Sequence, residues 1–206
     1  LFARFSKLRT DVINADPDGV NINDKCGSTH TDALAAMVKA GGYDIGIAFD
    51  GDADRCLAVD ELGNLIDGDQ IMAACGLDLL QKGKLSGETV VATVMSNLGL
   101  HRFVKEHGMR LECTNVGDRN VLERMLEKGY AIGGEQSGHM IFLEHATTGD
   151  GELTALQMLA LLKESGKKAS ELFGACPRYP QVLINIPVAN NDVKKAVMAS
   201  AELAQA

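Results

Sequence analysis

Residues 45–66 read IGIAFDGDADRCLAVDELGNLI. Two short apolar runs, 45–49 and 56–60, flank an acidic loop, and their length suits buried strands rather than helices. The turn signal Glu61-Leu62-Gly63-Asn64 leads into a further apolar pair, Leu65-Ile66. Upstream, Leu34, Met37 and Val38 recur at helical spacing until Gly41-Gly42 stops them. Downstream the spacing predicts a helix over 69–82, a buried strand over 89–94, a helix capped by Asn97 and running to about 107, and a strand over 111–114. Val121, Leu122, Met125 and Leu126 form the next helical stripe, closed by Gly129, and a strand follows near Ala131-Ile132. Thr148 or Asp150 is a candidate cap for a helix over 152–163, apolar almost all round and therefore expected to be buried. Strands alternating with amphipathic helices place the chain in the α/β class, with helices layered on a largely parallel sheet.

Toward the ends the pattern changes. Residues 11–15 read as a short strand, and Leu1, Phe2, Phe5 and Leu8 fall on one helical face. Two prolines, Pro177 and Pro180, interrupt any helix and mark a boundary. Beyond them Val182, Ile184, Ile186 and Val188 alternate as in a half-buried antiparallel strand, and Val193, Val197, Ala201 and Ala204 make a last uncapped stripe. Both ends read as cut inside secondary structure, so the chain is expected to be a piece of a longer protein. A second unit is expected to open near Gly68 and a third after Pro180.

Composition narrows the function classes. The 206 residues carry 20 Lys and Arg against 28 Asp and Glu, a net charge of −8, which argues against a general nucleic-acid binder. A 46% hydrophobic and 23% charged content is that of a folded chain. No apolar run approaches the roughly 20 residues that cross a bilayer. Five scattered cysteines (26, 56, 75, 113 and 176) with no CxxC are expected to be reduced, mostly buried thiols in a cytoplasm. Six Phe, three Tyr and no Trp leave few platforms for stacking bases or sugar rings.

Asp50, Asp52 and Asp54 sit at alternate positions after a buried strand, spaced by Gly51 and Ala53. Such small spacers let the backbone curl and gather the carboxylates, which repel one another unless a cation neutralises them. An all-oxygen set suits Mg2+, which keeps waters and is often shared with substrate phosphate. Arg55 follows at once, and a guanidinium beside a metal is a natural bidentate phosphate clamp. Three other readings stand beside this one. The first is a solvated acidic turn. The second is a calcium loop, with Glu61 at position twelve counted from Asp50, although Arg55 occupies the position that needs glycine and the flanks read as strands. The third is a phosphatase with Asp50 as nucleophile, which leaves Asp54 without a task.

Residues 133–139, GGEQSGH, place three polar side chains between glycines. In an extended loop Glu135 and Ser137 point the same way and can hold neighbouring sugar hydroxyls, while His139 can donate to phosphate or move a proton. A glycine-rich hairpin with a surface histidine accounts for the same spacing. Arg119, at the opening of the 121–126 helix, can bind an anion, with Asp118 as a simple cap the alternative.

Together, DGDADR at 50–55 and GEQSGH at 134–139 resemble the metal loop and sugar-binding loop of the α-D-phosphohexomutase superfamily, and Gln136 is similar to its bacterial phosphoglucosamine mutase branch. NADPDGVNIND at 14–24, CGSTH at 26–30, DGDQIM at 67–72, VMSNLGL at 94–100, VGDR at 116–119 and TTGDG at 147–151 carry the same resemblance, while Asn120 departs from the family's usual aromatic. The resemblance implies α/β domains with mixed sheets flanked by helices: the latter part of a second domain at 1–64, a complete third at 65–178 and the start of a fourth at 179–206. It implies interconversion of glucosamine 6-phosphate and glucosamine 1-phosphate through a phosphoserine and a bisphosphorylated sugar, with Mg2+ as cofactor. Asp50, Asp52 and Asp54 are then metal ligands, Arg55 and His139 catalytic, and Glu135, Ser137 and Arg119 substrate-binding. The implied partner is a phosphorylated hexosamine, with no nucleic acid and no membrane, and self-association is expected where neighbouring domains are missing. The family's phosphoserine loop is not among these residues, so the chain alone is expected to be inactive.

Overall fold

The computed structural model describes residues 1–184 and 187–200. Its first sheet grows from the acidic loop. Strand β1 (Ile45–Phe49) pairs antiparallel with β2 (Cys56–Asp60), with Phe49 opposite Cys56, and β3 (Leu65–Ile66) adds on the far side of β2. Asp60 makes the second turn: its Oδ1 accepts from the N–H groups of Leu62 and Asn64, the local hydrogen bonding that lets Asp initiate turns. Helix α1 (Asp32–Gly41), ended by Gly42 in the left-handed conformation, packs on this sheet.

The second sheet has the order β5–β4–β6–β7. Strand β4 (Thr89–Thr93) runs parallel to β5 (Arg110–Thr114) and to β6 (Ile132–Gly134), and β7 (Met140–Phe142) returns antiparallel to β6. Side chains of the wholly buried β4 alternate between two helical layers. Val90 and Ala92 join the core around α2 (Gly68–Gln81) and α3 (Leu98–Glu106), while Val91 packs with Val121 and Met125 of α4 (Asp118–Lys128). The larger core does not stop at residue 68. Cys56, Ala58 and Ile66 of the first sheet belong to one apolar cluster with Ile71 and Met72 of α2, Met158 of α5 (Gly151–Ser165) and Phe173 of α6 (Ala169–Phe173).

Several expectations are corrected. Parallel pairing is confined to β4 with its two neighbours, because the short 50–55 loop can join only antiparallel strands. Residues 11–15 form no strand, having no ladder partner, and residues 1–9 contain no α-helix but a 3-10 turn, Phe2–Arg4, and a hydrogen-bonded turn at 6–7. Val182 and Ile184 are 83% and 75% exposed outside any strand, since no described strand lies alongside to bury them; Ile186, Ala201 and Ala204 fall outside the described residues. Val193 and Val197 lie on the exposed helix α7 (Asn191–Met198). Helix α5 buries only the stripe Gly151, Thr154, Ala155 and Met158, leaving Leu153, Leu159, Leu161 and Leu162 half-buried. All five cysteines are free; Cys56, Cys75 and Cys176 are buried and Cys113 is exposed. Burial pushes the three buried thiols up to about 12, so they stay protonated and unreactive. Among the described residues no helix is long and apolar enough to cross a membrane.

Candidate active site

Residues 50–55 are the tip of the β1–β2 hairpin. Ala53 bends that tip with a φ of +57°, a left-handed conformation that a non-glycine residue keeps only where its surroundings hold it. The holding bonds are visible: Ala53 N–H donates to the Asp50 carbonyl (3.1 Å), and the Ala53 carbonyl accepts from Gly151 N–H (2.8 Å) at the start of α5. As a result Asp50, Asp52 and Asp54 each offer an oxygen within 4.8 Å of the others. Arg55 Nε lies 3.4 Å from Asp50 Oδ2 and 3.7 Å from Asp54 Oδ1, and Arg55 N–H donates to Asp50 Oδ1 (3.1 Å). One guanidinium against three carboxylates leaves a negative excess. Asp54 Oδ1 is buried with no hydrogen-bond partner. A preformed, all-oxygen, under-neutralised set with one buried oxygen that accepts no hydrogen bond fits a hard divalent cation such as Mg2+.

The second loop is the tip of the β6–β7 hairpin, and it is not extended. Gly138 N–H donates to the Glu135 carbonyl (2.9 Å) and Glu135 N–H to the His139 carbonyl (3.0 Å), closing a tight turn with Glu135 half-buried and Ser137 exposed. The expectation that an extended run aligns these two side chains is therefore corrected. Gly138 is the reason. Its φ is +95°, and a Cβ there would stand 2.5 Å from the Cys56 carbonyl oxygen, so only glycine lets the two loops close together. Cys56 N–H donates to the Gly138 carbonyl (3.0 Å), and Arg55 and His139 form an antiparallel bridge. The acidic hairpin and the Glu-Gln-Ser-Gly-His hairpin are thus stapled backbone to backbone.

Side chains extend the staple. Glu135 Oε1 accepts from Gly117 N–H (3.0 Å) at the entry to α4, and Gln136 Nε2 donates to Asp69 Oδ2 (3.3 Å). His139 is buried, with Nδ1 3.1 Å from Asp54 Oδ2 and Nε2 accepting from Gly149 N–H (3.1 Å). Arg119, mostly exposed, donates along α4 to Glu123 Oε1 (2.8 Å), and no contact among the described residues joins it to either loop. Asp118 is the first helical residue rather than a cap.

The turn that opens α2, inside the DGDQIM stretch, reaches the site as well, although its residues carry no expected role. Asp67 and Gln70 form a reciprocal capping box there, legible in the sequence as Asp-x-x-Gln before an apolar run. Asp69, 2% exposed, accepts the Asn97 N–H (2.6 Å) as well as the Gln136 amide. Burial pushes its carboxyl up to about 6 and raises that of Asp67 as well. Asn97 in turn bonds Tyr179 through both of its side-chain atoms, so this turn links the sugar-type loop to the segment leaving α6.

Comparison with known proteins bears on this arrangement. Residues 67–179 match the family described as phosphoglucomutase/phosphomannomutase, alpha/beta/alpha domain III, and residues 8–63 match domain II of the same family. A phosphoglucosamine mutase of Ruminiclostridium cellulolyticum is 63% identical over 184 residues, covering 89% of this chain and 41% of that protein. The chain therefore spans less than half the length of that relative. A phosphoglucomutase/phosphomannomutase family protein from Burkholderia thailandensis aligns with a TM-score of 0.67 at 26% identity, over 75% of this chain and 34% of that one. The N-acetylphosphoglucosamine mutase of Aspergillus fumigatus, solved with GlcNAc-6P and magnesium, shares the fold with a TM-score of 0.64 at 21% identity, over 82% of this chain and 40% of that one.

Proposed function

The chain belongs to the phosphoglucomutase/phosphomannomutase family, and from that premise we propose that it carries the metal loop and the sugar loop of a phosphoglucosamine mutase. The reaction is the interconversion of glucosamine 6-phosphate and glucosamine 1-phosphate, by phosphoryl transfer from a phosphoserine outside these 206 residues. We divide the chain into the end of a second domain (1–64), a third domain (65–178) and the start of a fourth (179–206), and place the enzyme in the cytoplasm. The observation that carries the reading is the pair of stapled hairpins, which sets three converging carboxylates beside a loop of sugar-binding chemistry.

Asp50, Asp52 and Asp54 would hold Mg2+, which when bound would supply fixed positive charge beside a phosphoryl group. Arg55, anchored by Asp50 and Asp54, presents its remaining guanidinium N–H groups to phosphoryl oxygens. Glu135 is oriented by the Gly117 N–H on one oxygen, which leaves the other to accept from a sugar hydroxyl, and the exposed Ser137 hydroxyl serves a neighbouring one. Both residues read hydroxyls rather than the phosphate end, so the sugar can be held in either orientation. Arg119 bonds Glu123 through Nε, and its terminal guanidinium N–H groups serve a substrate phosphate. Exposed Leu1, Phe5, Val12 and Ile22 favour self-association of the chain on its own.

Titration calorimetry with MgCl2 and CaCl2 tests the reading. Mg2+ is expected to bind the chain weakly, and Asp52→Asn is expected to lower that affinity at least about tenfold while leaving the melting temperature unchanged, because Asp52 is exposed. A strong Ca2+ preference with a conformational opening, or isomerisation by the purified chain alone, refutes it.

A further inference from the structure

Gln136, between Glu135 and Ser137, turns its side chain away from the open face of the sugar loop and into the first turn of α2. Its Nε2 donates to Asp69 Oδ2 (3.3 Å), and its own carbonyl accepts from Gly68 N–H (3.0 Å). The loop backbone lies directly on that glycine: a Cβ on Gly68 would collide with the Glu135 carbonyl oxygen and stand 2.9 Å from the Gly138 nitrogen. Asp67 flanks Gly68 on the other side. Burial raises its carboxyl, and the Gln136 amide is among the groups that pull it back. The middle of the sugar loop is thus held at a carbonyl by Gly68, while its side-chain amide faces the carboxylates on either side of that glycine.

The turn that receives Gln136 is itself fixed. Asp69 is buried, and its Oδ2 also accepts from Asn97 N–H (2.6 Å). Asn97 is anchored as the cap of α3, its Oδ1 accepting from Gly99 N–H (2.9 Å). Asp67, also buried, closes the capping box with Gln70, and Arg178 Nε lies 3.7 Å from its Oδ2. Two buried carboxylates beside one guanidinium need further donors, and the amide at 136 supplies N–H groups without adding charge. A methionine there would supply none, and a glutamate would add a third acid. Residues 67–69, to which the proposed reaction gives no task, are thus matched to the sugar loop by the chemistry of one side chain.

We propose that Asp69 is a positioning residue for the sugar loop: by gripping the Gln136 amide it fixes the 135–138 turn on α2 and so sets where Glu135 and Ser137 meet the sugar. The inference rests on the proposed reading of residues 134–139 as that loop. Its consequences run outward from the grip. With Gln136 drawn inward, Ser137 is left exposed, and Glu135 faces the entry to α4, where its Oε1 accepts from Gly117 N–H (3.0 Å). Residues that orient a binding side chain in this way act on affinity without touching the ligand.

Three substitutions separate positioning from mere support. Gln136→Met keeps the length of the side chain without a donor, Gln136→Glu faces Asp69 with a like charge, and Asp69→Asn keeps a carbonyl that can still accept from Gln136. Glucosamine 6-phosphate affinity of the 206-residue chain is read by NMR titration at about pH 7.5, with amide exchange at Gly117 and Gly138 and thermal melting alongside. Gln136→Met is expected to bind about tenfold more weakly and to exchange faster at both glycines, the loss of one hydrogen bond to a charged group. Gln136→Glu should lose more, Asp69→Asn should stay within about threefold of the parent, and adding Asp69→Asn to Gln136→Glu should relieve its loss. Unchanged binding and exchange in Gln136→Met, or a Gln136→Glu loss that Asp69→Asn does not relieve, overturns the proposal. Should a Gln136 variant fail to fold, the side-chain amide resonances of Gln136 in the unmodified chain decide. A shift that follows the ionisation of Asp69, with protection of Gly138 N–H rising in step, supports the proposal, and resonances that ignore it overturn it. If the unmodified chain binds no glucosamine 6-phosphate, the sugar reading falls and exchange at the two glycines decides the grip by itself, whereas binding that ignores both Gln136 substitutions removes the inference alone.

Discussion

Replacing Asp69 with asparagine removes a buried charge without changing its shape, and the effect should appear as a stability difference that grows with pH. Asp69 is 2% exposed, and burial raises its carboxyl from an ordinary 3.8 to about 6. The folded chain therefore holds this proton more tightly than the unfolded chain does. Its contribution to stability is complete below about pH 3.8, shrinks as pH rises and reaches its floor above about pH 6. At 1.36 kcal/mol for each tenfold change in proton affinity, that fall is about 3 kcal/mol. The introduced amide has nothing to titrate, and its carbonyl can still accept from Asn97 N–H and the Gln136 amide, which both reach one oxygen of Asp69. Urea unfolding of both proteins in EDTA, from about pH 4 to about pH 7.5, reads the term together with its coupling to Asp67, because titrations not coupled to Asp69 cancel in the difference. Asp69→Asn should gain on the parent by about 2.4 kcal/mol between those limits, the rest of the fall lying below pH 4. A difference that stays flat across that range refutes the burial argument, and one that falls reverses its sign.

Two further substitutions test the scaffold. Gly138→Ala forces a Cβ to within 2.5 Å of the Cys56 carbonyl at a φ of +95°, and should cost at least about 2 kcal/mol in the same unfolding assay while separating the two hairpins. Asn97→Ala removes the cap of α3 and both bonds to Tyr179; a loss of about 2 kcal/mol and faster proteolytic cleavage around 177–181 are expected.

Strands β1 and β2 were legible as two short apolar runs around a polar loop, though their antiparallel pairing was not, and Gly42, Gly129 and Asn97 end or begin helices where local chemistry requires. The convergence of Asp50, Asp52 and Asp54 was readable for the same reason: it is made by one loop. What escaped depends on distant partners. The turn at 135–138 is tight because Gly138 closes against Cys56, 82 positions earlier in the chain, and no spacing near Glu135 announces that. The strand expected over 182–188 shows the converse, a period-two pattern with no neighbour among the described residues to complete it. Burial of Asp69 was hidden because an acidic residue in the first turn of a helix ordinarily faces water.

The apolar cluster that runs from Cys56, Ala58 and Ile66 into α2, α5 and α6 has a consequence for how this polypeptide can be divided. A cut or graft junction between 63 and 67, where the two family matches part, would strip the back of β2 of its cover and leave α2 with a bare flank. Pieces exchanged between relatives at that seam inherit a mismatched interior, so the two halves travel together or not at all.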